Sequence, residues 1–539
     1  MRKTFVRRAL SSLALTLTLT AACDDASQAS REPTTIPPRS VEDGLLFIEQ
    51  NDDQVANTLL LDVASNKAHV TRRDLPAGSA QMLPRPGKNG REVIVFTGGR
   101  AAYKDDDGKH HELVPAHVLV FDRSGEIARH PLSGIFARLS LSEDGKYALA
   151  YQSSGFLAVQ NAIEVVDIDK VAAKETSASQ SVELLDGREI GSLVFSPAGK
   201  PDSFVRRLAI APLPNALQII DLEHPEKREI SITLSETTTL TPGKIVFAKD
   251  QFFVQVVGSS QVLSFQYIPV QRGDHDFQLA PTNLNATSAV TDLATTGEGD
   301  KLRLLALSGK LDVLDPRIGT TAKVDAVTGF TQILQFTGIS PVDSNVTPRA
   351  ALYAPGRAQI GFVDLGNESA WATRNVELIE LGEPLTSLQA IPGKNLVLVR
   401  HASSKLSVVD LAARTVGRVS IDSSQAITLL DDDANHTRLW VSSGTGSLGS
   451  IDLVSRKANP PVALTFDAPQ RGGGDEPDRA GVIDQPGNLY LVPRAGGASR
   501  RLAVLQRSDT GRVTFLDADN PVPATALEVL GFFIAGLLD

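Results

Sequence analysis

One phrase recurs along this chain of 539 residues: an apolar or alternating run that ends in aspartate. It reads LLLD at 59–62, VLVFD at 118–122, IEVVD at 163–167, LQIID at 217–221 and LDVLD at 311–315. It returns as IGFVD at 360–364, LSVVD at 406–410, LGSID at 448–452 and VTFLD at 513–517. A degenerate copy, VLSFQ at 262–266, carries Gln266 in place of the acid. The shortest step runs from Asp410 to Asp452 and the longest from Asp452 to Asp517. Self-similarity at about 40–50 residues restricts a chain to a solenoid, a propeller or an array.

A second phrase precedes most copies: a turn, then another apolar strand. Examples are SEDGKYALAY at 142–151, GEGDKLRLLAL at 297–307, IPGKNLVLVR at 391–400 and DQPGNLYLVP at 484–493. Glycine supplies positive φ at such turns, and Asp, Asn and Pro set the remaining angles. A further strand follows the acid, as in REISITL at 228–234, GRVSI at 417–421 and PVALTF at 461–466. Long amphipathic helical stretches are absent. Four short antiparallel strands per unit predict an all-β fold, a β-propeller of four-stranded antiparallel blades.

SEDGKYALAYQSSG followed by IEVVDI, and LSVVDLAARTVGRVSI at 406–421, resemble the surface β-propeller repeats called YVTN repeats, which are WD40-like in architecture. The resemblance covers roughly residues 42–535, and residues 42–539 are taken as the propeller domain. It implies a ring of seven or eight blades, the common outcomes for this fold, although ten units are counted. The first unit lacks an obvious innermost strand, and ALEVLGFFIAGLLD at 526–539 is a candidate for the strand that closes the ring.

The N-terminus carries a different signal. Arg2, Lys3, Arg7 and Arg8 precede a short apolar run, Ala9 to Ala22, and then Cys23. A basic region, a short hydrophobic region and small residues at the cut make a signal peptide over residues 1–22, too short for a membrane span. TAAC resembles the lipobox of bacterial lipoproteins, which implies that Cys23 is lipidated and becomes the mature N-terminus. Ala22 before the cut also suits ordinary secretory cleavage. Cys23 is the only cysteine, so no disulfide forms within the chain. Asp24 resembles the inner-membrane retention signal of enterobacterial lipoproteins. Residues 23–41, rich in Ser, Thr, Pro and charge, read as a flexible tether.

Chemistry-bearing motifs are few. GTGSLG at 444–449 spells G-x-G-x-x-G, but strands flank it on both sides, so it reads as a hairpin turn. KDDDGKHHE at 104–112 clusters Asp105, Asp106, Asp107, His110, His111 and Glu112. Its spacing fails the alternate-acid pattern of a calcium loop, so it reads as an inserted surface loop and no metal is assigned. Asp431, Asp432, Asp433 and His436, in LDDDANHTRLW, read as a turn, and QRGGGDEPDRAG at 470–481 as a mobile loop open to a contact. Trp371 and Trp440 are too few for the tryptophan docking motif of quinoprotein propellers, so no cofactor is expected. Nine phrase-ending acids in equivalent places argue for a structural task, because a catalytic acid acts once. Such an acid accepts backbone N–H bonds in the turn that follows.

The net charge of −10 carries no basic stripe outside the N-terminus, which sets nucleic acid aside. The expected function is that of a lipid-anchored scaffold of the bacterial cell envelope, facing the periplasm or the cell surface. It would bind an unknown envelope protein or ligand through its loops, without catalysis. The alternative is a lactonase-like propeller enzyme with a site in the central funnel.

Overall fold

The computed structural model describes strands from Arg39 to Leu516 and most of the connections between Leu75 and Leu411. Residues 1–38 and 517–539 lie outside the description, as do several connections, the longest being 153–161, 365–375, 464–478 and 494–501. Cys23 and the segment 526–539 therefore fall outside the described residues.

Among the described residues the chain forms ten four-stranded antiparallel sheets, each from four strands in succession except that a two-stranded hairpin interrupts the second, so the fold is an all-β propeller. The blades span residues 39–74, 80–131, 138–183, 194–233, 242–285, 292–324, 332–380, 385–419, 427–463 and 479–516. In blade three the order is Arg138–Leu141, Tyr147–Tyr151, Ala162–Asp167 and Ser179–Glu183. The first strand of each blade lies innermost. The innermost strand of blade one, Arg39–Val41, lies against Ala80–Pro84 of blade two and Arg479–Ile483 of blade ten, so the first and last blades meet. The count of ten repeats stands, and the ring of seven or eight implied by the resemblance does not.

The strand missing from the first unit is Arg39–Val41, at the end of the segment read as tether. It has three residues, too few to show a period. In blade ten the phrase VTFLD falls on the fourth strand, Val513–Leu516, while Leu502–Leu505 takes the third place.

The middle strands explain the near-continuous apolar runs. Val93–Thr97, Tyr147–Tyr151 and Ala216–Asp221 are buried at every position. Successive side chains of a strand point to opposite faces, and here both faces are covered by neighbouring blades. Ala148 and Ala150 pack with Ile94, Phe96 and Val118 of blade two. Tyr147, Leu149 and Tyr151 pack instead with Ala209, Ala211 and Ile220 of blade four. Each blade thus donates alternate residues to two interblade cores. A fully buried Leu such as Leu149 contributes about 2 kcal/mol relative to exposure. Outer strands keep a polar face, as in Ile230–Thr233.

Successive strands alternate in direction, which gives the ring two faces. The connection face carries the links between blades and the hairpins joining second to third strands. The turn face carries the hairpins joining first to second strands and the turns after the third. Blades two and three approach closely there. Gly145, at φ +66°, would bring a Cβ to 2.4 Å from the Pro86 carbonyl oxygen, so only glycine fits.

Candidate functional site

The phrase-ending acids come first because they recur. Side chains are described for Asp122, Asp167, Asp221, Asp315 and Asp410, and each accepts a backbone N–H from the turn that follows. The donors are Ser124 (2.7 Å), Lys170 (3.2 Å), Glu223 (3.1 Å), Arg317 (2.9 Å) and Ala413 (2.8 Å). Asp167 caps a five-residue helix, Ile168–Ala172, whose Ile168 and Val171 enter the core between blades two and three. The degenerate copy behaves differently. With Gln266 in place of the acid, the strand Gln261–Pro269 runs three residues further and stays paired to Phe277–Asn285. The acid ends the strand by offering its turn an acceptor.

The turn face also carries a chain of ion pairs between blades. Buried Arg85 of blade two meets Asp169 of blade three, and its Nε donates to the Gly145 carbonyl oxygen at 2.9 Å. Arg207 of blade four donates to Asp144 of blade three at 2.8 Å and to Glu223 at 3.0 Å. Arg206 pairs with Glu223 at 3.2 Å and reaches Asp276 of blade five. Burial alone would raise the Asp144 carboxyl, but hydrogen bonds from Arg207, Ser142 and the Lys146 N–H outweigh it and hold it below the usual range. Burial pushes the Asp221 carboxyl above that range against the pull of Arg206.

A second set of acids sits inside the phrase, one residue after its start. Glu164, 2% exposed, accepts from Ser133 N–H and Oγ, both at 2.7 Å, and from Ser179 Oγ at 2.6 Å. Asp312, 0% exposed, accepts from Thr287 N–H at 2.6 Å, Thr287 Oγ1 at 2.7 Å and Ser308 Oγ at 2.7 Å. Ser133 and Thr287 lie in the links arriving from the preceding blade. These carboxylates therefore clamp the interblade connections. In blade eight Ser407 holds the same place. It contacts His401 Nε2 at 2.8 Å, and His401 Nδ1 faces the Glu383 carbonyl oxygen of the incoming link at 3.2 Å. Sequence reasoning missed this set. The available signal was an acid inside an otherwise apolar run.

The innermost strands pair on one side only, and side chains from neighbouring blades satisfy part of their free edges. Gln81 Oε1 of blade two accepts from Leu139 N–H of blade three at 2.9 Å. Thr295 Oγ1 of blade six donates to the Phe247 carbonyl oxygen of blade five at 2.9 Å. Asp292 Oδ2 of blade six accepts from Ile333 N–H of blade seven at 2.7 Å. Such capping blunts a strand edge that would otherwise pair with another chain.

Asp292 also stands in a cleft of about 690 Å³ on the connection face, between blades five, six and seven. Lys244 Nζ donates to its Oδ1 at 2.6 Å, and the Leu293 N–H reaches the same oxygen at 2.8 Å. Gln255, Val257, Thr331, Gln332 and Tyr353 complete the wall. Burial, helped by the charge of Asp292, raises the Tyr353 hydroxyl above its ordinary range. The acid is thus occupied by three donors. The cleft suits recognition by Lys244, Tyr353, Gln332 and Thr331 more than proton abstraction by Asp292. None of these residues was singled out from sequence, because Asp292 heads a short strand and its partners lie 48 and 41 residues away.

The 104–112 insertion is an ordered hairpin, Tyr103–Lys104 paired with His110–His111, on the connection face. Asp105 closes its turn by accepting from Lys109 N–H at 2.7 Å and meets His111 Nε2 at 2.9 Å. The bond from His111 holds the Asp105 carboxyl below its ordinary range. His111 stacks on Tyr103 at 4.5 Å, and the Arg100 guanidinium lies over the Tyr103 ring at 5.0 Å. Among the described residues no three His, Cys, Asp or Glu side chains converge as metal ligands. GTGSLG joins two antiparallel strands in which Ser443 faces Ser447, so the hairpin reading holds. Asp431 and Asp432, read as part of a turn, instead end the strand Ile427–Asp432, while residues 433–437 and most of 470–481 lie outside the described residues.

No family model and no curated protein matches the chain. Among solved structures it is similar to the dihydro-heme d1 dehydrogenase NirN in complex with DHE. That match has 14% identity and a TM-score of 0.41, over 65% of this chain and 71% of that one. It is also similar to apo AztD from Citrobacter koseri, at 12% identity and a TM-score of 0.32, over 75% and 92%. A third similarity is to the computationally designed Ika8 protein, at 13% identity and a TM-score of 0.33, over 66% and 91%.

Proposed function

We propose that this chain is an extracytoplasmic lipoprotein of the bacterial envelope, a YVTN-like propeller held at a membrane by Cys23. Its work is noncovalent binding of an envelope protein or ligand. The observation that carries the reading is the lone cysteine directly behind a basic and apolar leader, in a chain whose ring starts only at Arg39. A protein built this way would act by presentation: lipid fixes it at the membrane, the tether gives reach, and the rigid ring positions its loops. Acyl chains contribute about 0.8 kcal/mol per buried CH₂, and more than one is needed for stable anchoring.

Two features favour binding over reaction. Asp292 is held by Lys244 and two backbone N–H groups, so the cleft offers no free carboxylate as a base. The remaining lining side chains are Lys244, neutral polar groups such as Gln255, Thr331 and Tyr353, and apolar ones such as Val257 and Ile333, with no second carboxylate. The test is fractionation of cells expressing the wild-type chain and Cys23→Ala, with labelled palmitate and a membrane pull-down. The wild type is expected to incorporate palmitate, sediment with membranes and retain a partner. A Cys23→Ala protein that stays with the membrane would refute the anchor. Hydrolysis of lactones by the purified ring would refute the binding-only reading.

A further inference from the structure

The chain enters the ring at a place that fixes how an anchored ring must hang. Arg39–Val41 is the innermost strand of blade one, and it turns back at Val41, opposite Gly44, on the turn face. Its Arg39 end therefore leads out toward the connection face, beside the axis. The residues between Cys23 and Arg39, 24–38, belong to the segment 23–41 read as tether. A flexible segment of that length has a root-mean-square span of about 20 Å and a full reach of about 50 Å. Strands of five or six residues make the ring about 20 Å deep. Turning the ring over would draw the tether down the axis or round the rim, and the depth of the ring alone, about 20 Å, equals its whole root-mean-square span before any lipid is met. The net charge is −10 with the four positive charges of the leader and −14 without them, which opposes adhesion to anionic lipid, so the tether and not surface attraction sets the spacing.

We infer that the anchored ring hangs with its connection face toward the lipid. That orientation puts the Tyr103–His111 hairpin and the Lys244–Asp292 cleft on the membrane side of the ring. This rests on the anchor reading. The turn face, with its arginines already paired to Asp144, Asp169, Glu223 and Asp276, faces away.

The experiment uses the lipidated full chain in vesicles of phosphatidylethanolamine and phosphatidylglycerol containing an acceptor-labelled lipid. Cys23 is the only natural cysteine and is consumed by the lipid, so an added cysteine is the sole site for a donor dye. Lys109→Cys places the dye at the tip of the connection-face hairpin, and Glu226→Cys places it in an exposed turn on the opposite face. A separation of about 20 Å between the faces predicts energy transfer to lipid at least about twofold higher from Lys109→Cys. Equal transfer from the two positions, or higher transfer from Glu226→Cys, overturns the orientation while leaving the anchor intact. A chain that fails to float with the vesicles overturns the anchor reading and this inference with it.

Discussion

Asp312 offers the sharpest test of how the ring is held, because the phrase it belongs to contains two acids with different work. Asp312 is fully buried and accepts three hydrogen bonds, two of them from Thr287 in the link between blades five and six. Asp312→Ala removes the acceptor and leaves the Thr287 N–H without its partner, while Ser308 is free to rotate. Removing one partner from a buried charged network costs about 3–5 kcal/mol. The lower end, about 3 kcal/mol, is expected here because truncation also relieves the desolvation of the carboxylate. Asp312→Asn keeps one oxygen but turns an NH₂ toward a donor, so about 2 kcal/mol is expected. The control is Asp122→Ala, which loses a turn bond at the exposed end of the equivalent strand and costs about 1 kcal/mol. Urea unfolding gives the stability order, and amide exchange at residues 286–291 reports whether the link itself has loosened. A loss for Asp312→Ala no larger than that for Asp122→Ala, with unchanged exchange in the link, refutes the clamp.

The other predictions are local. Glu383 is lowered from 4.5 to about 2 by hydrogen bonds from Lys405 and Ser403. Its stabilising share is present above the unfolded value and disappears as pH falls through about 2; an NMR titration of its carboxyl carbon that turns near 4.5 contradicts this. Tyr147 is raised to about 12 by burial and by Asp167, so it stays neutral while an unfolded tyrosine ionises near 10. Stability therefore falls as pH rises from 10 toward 12, and Tyr147→Phe removes a phenolate step near 12 from the ultraviolet titration. Asp292→Asn takes away one of the two causes raising the Tyr353 hydroxyl, so that group shifts downward but stays above 10 because burial remains. Arg207→Ala breaks its bonds to Asp144 and Glu223 and is expected to cost about 1–3 kcal/mol, with faster exchange at the joint of blades three and four.

What the sequence showed and what it hid divide by the span of the interaction. Asp122, Asp167 and Asp410 bond to N–H groups two or three residues on, so their task was legible in the phrase itself. Gln266 tests that local rule: without the acid, the strand does not stop. Glu164 and Asp312 sit one residue into the same phrase, where an acid breaks the apolar pattern, but their donors lie as far as 31 and 25 residues upstream. Nothing within one unit announces such a partner. Asp292 is hidden more deeply, since its cleft takes one wall from each of three blades. The blade number shows the converse. Ten local units were present to be counted, and the preference for seven or eight came from the resemblance alone. A ring assembled from local four-stranded units takes its blade number from the number of units. Its polar sites arise between units, where the phrases vary: Glu164, Asp312 and Ser407 occupy one equivalent position with three different side chains. Variation at a fixed buried position, and not the repeated acid, is therefore the feature to follow when seeking what distinguishes one blade of this ring from another.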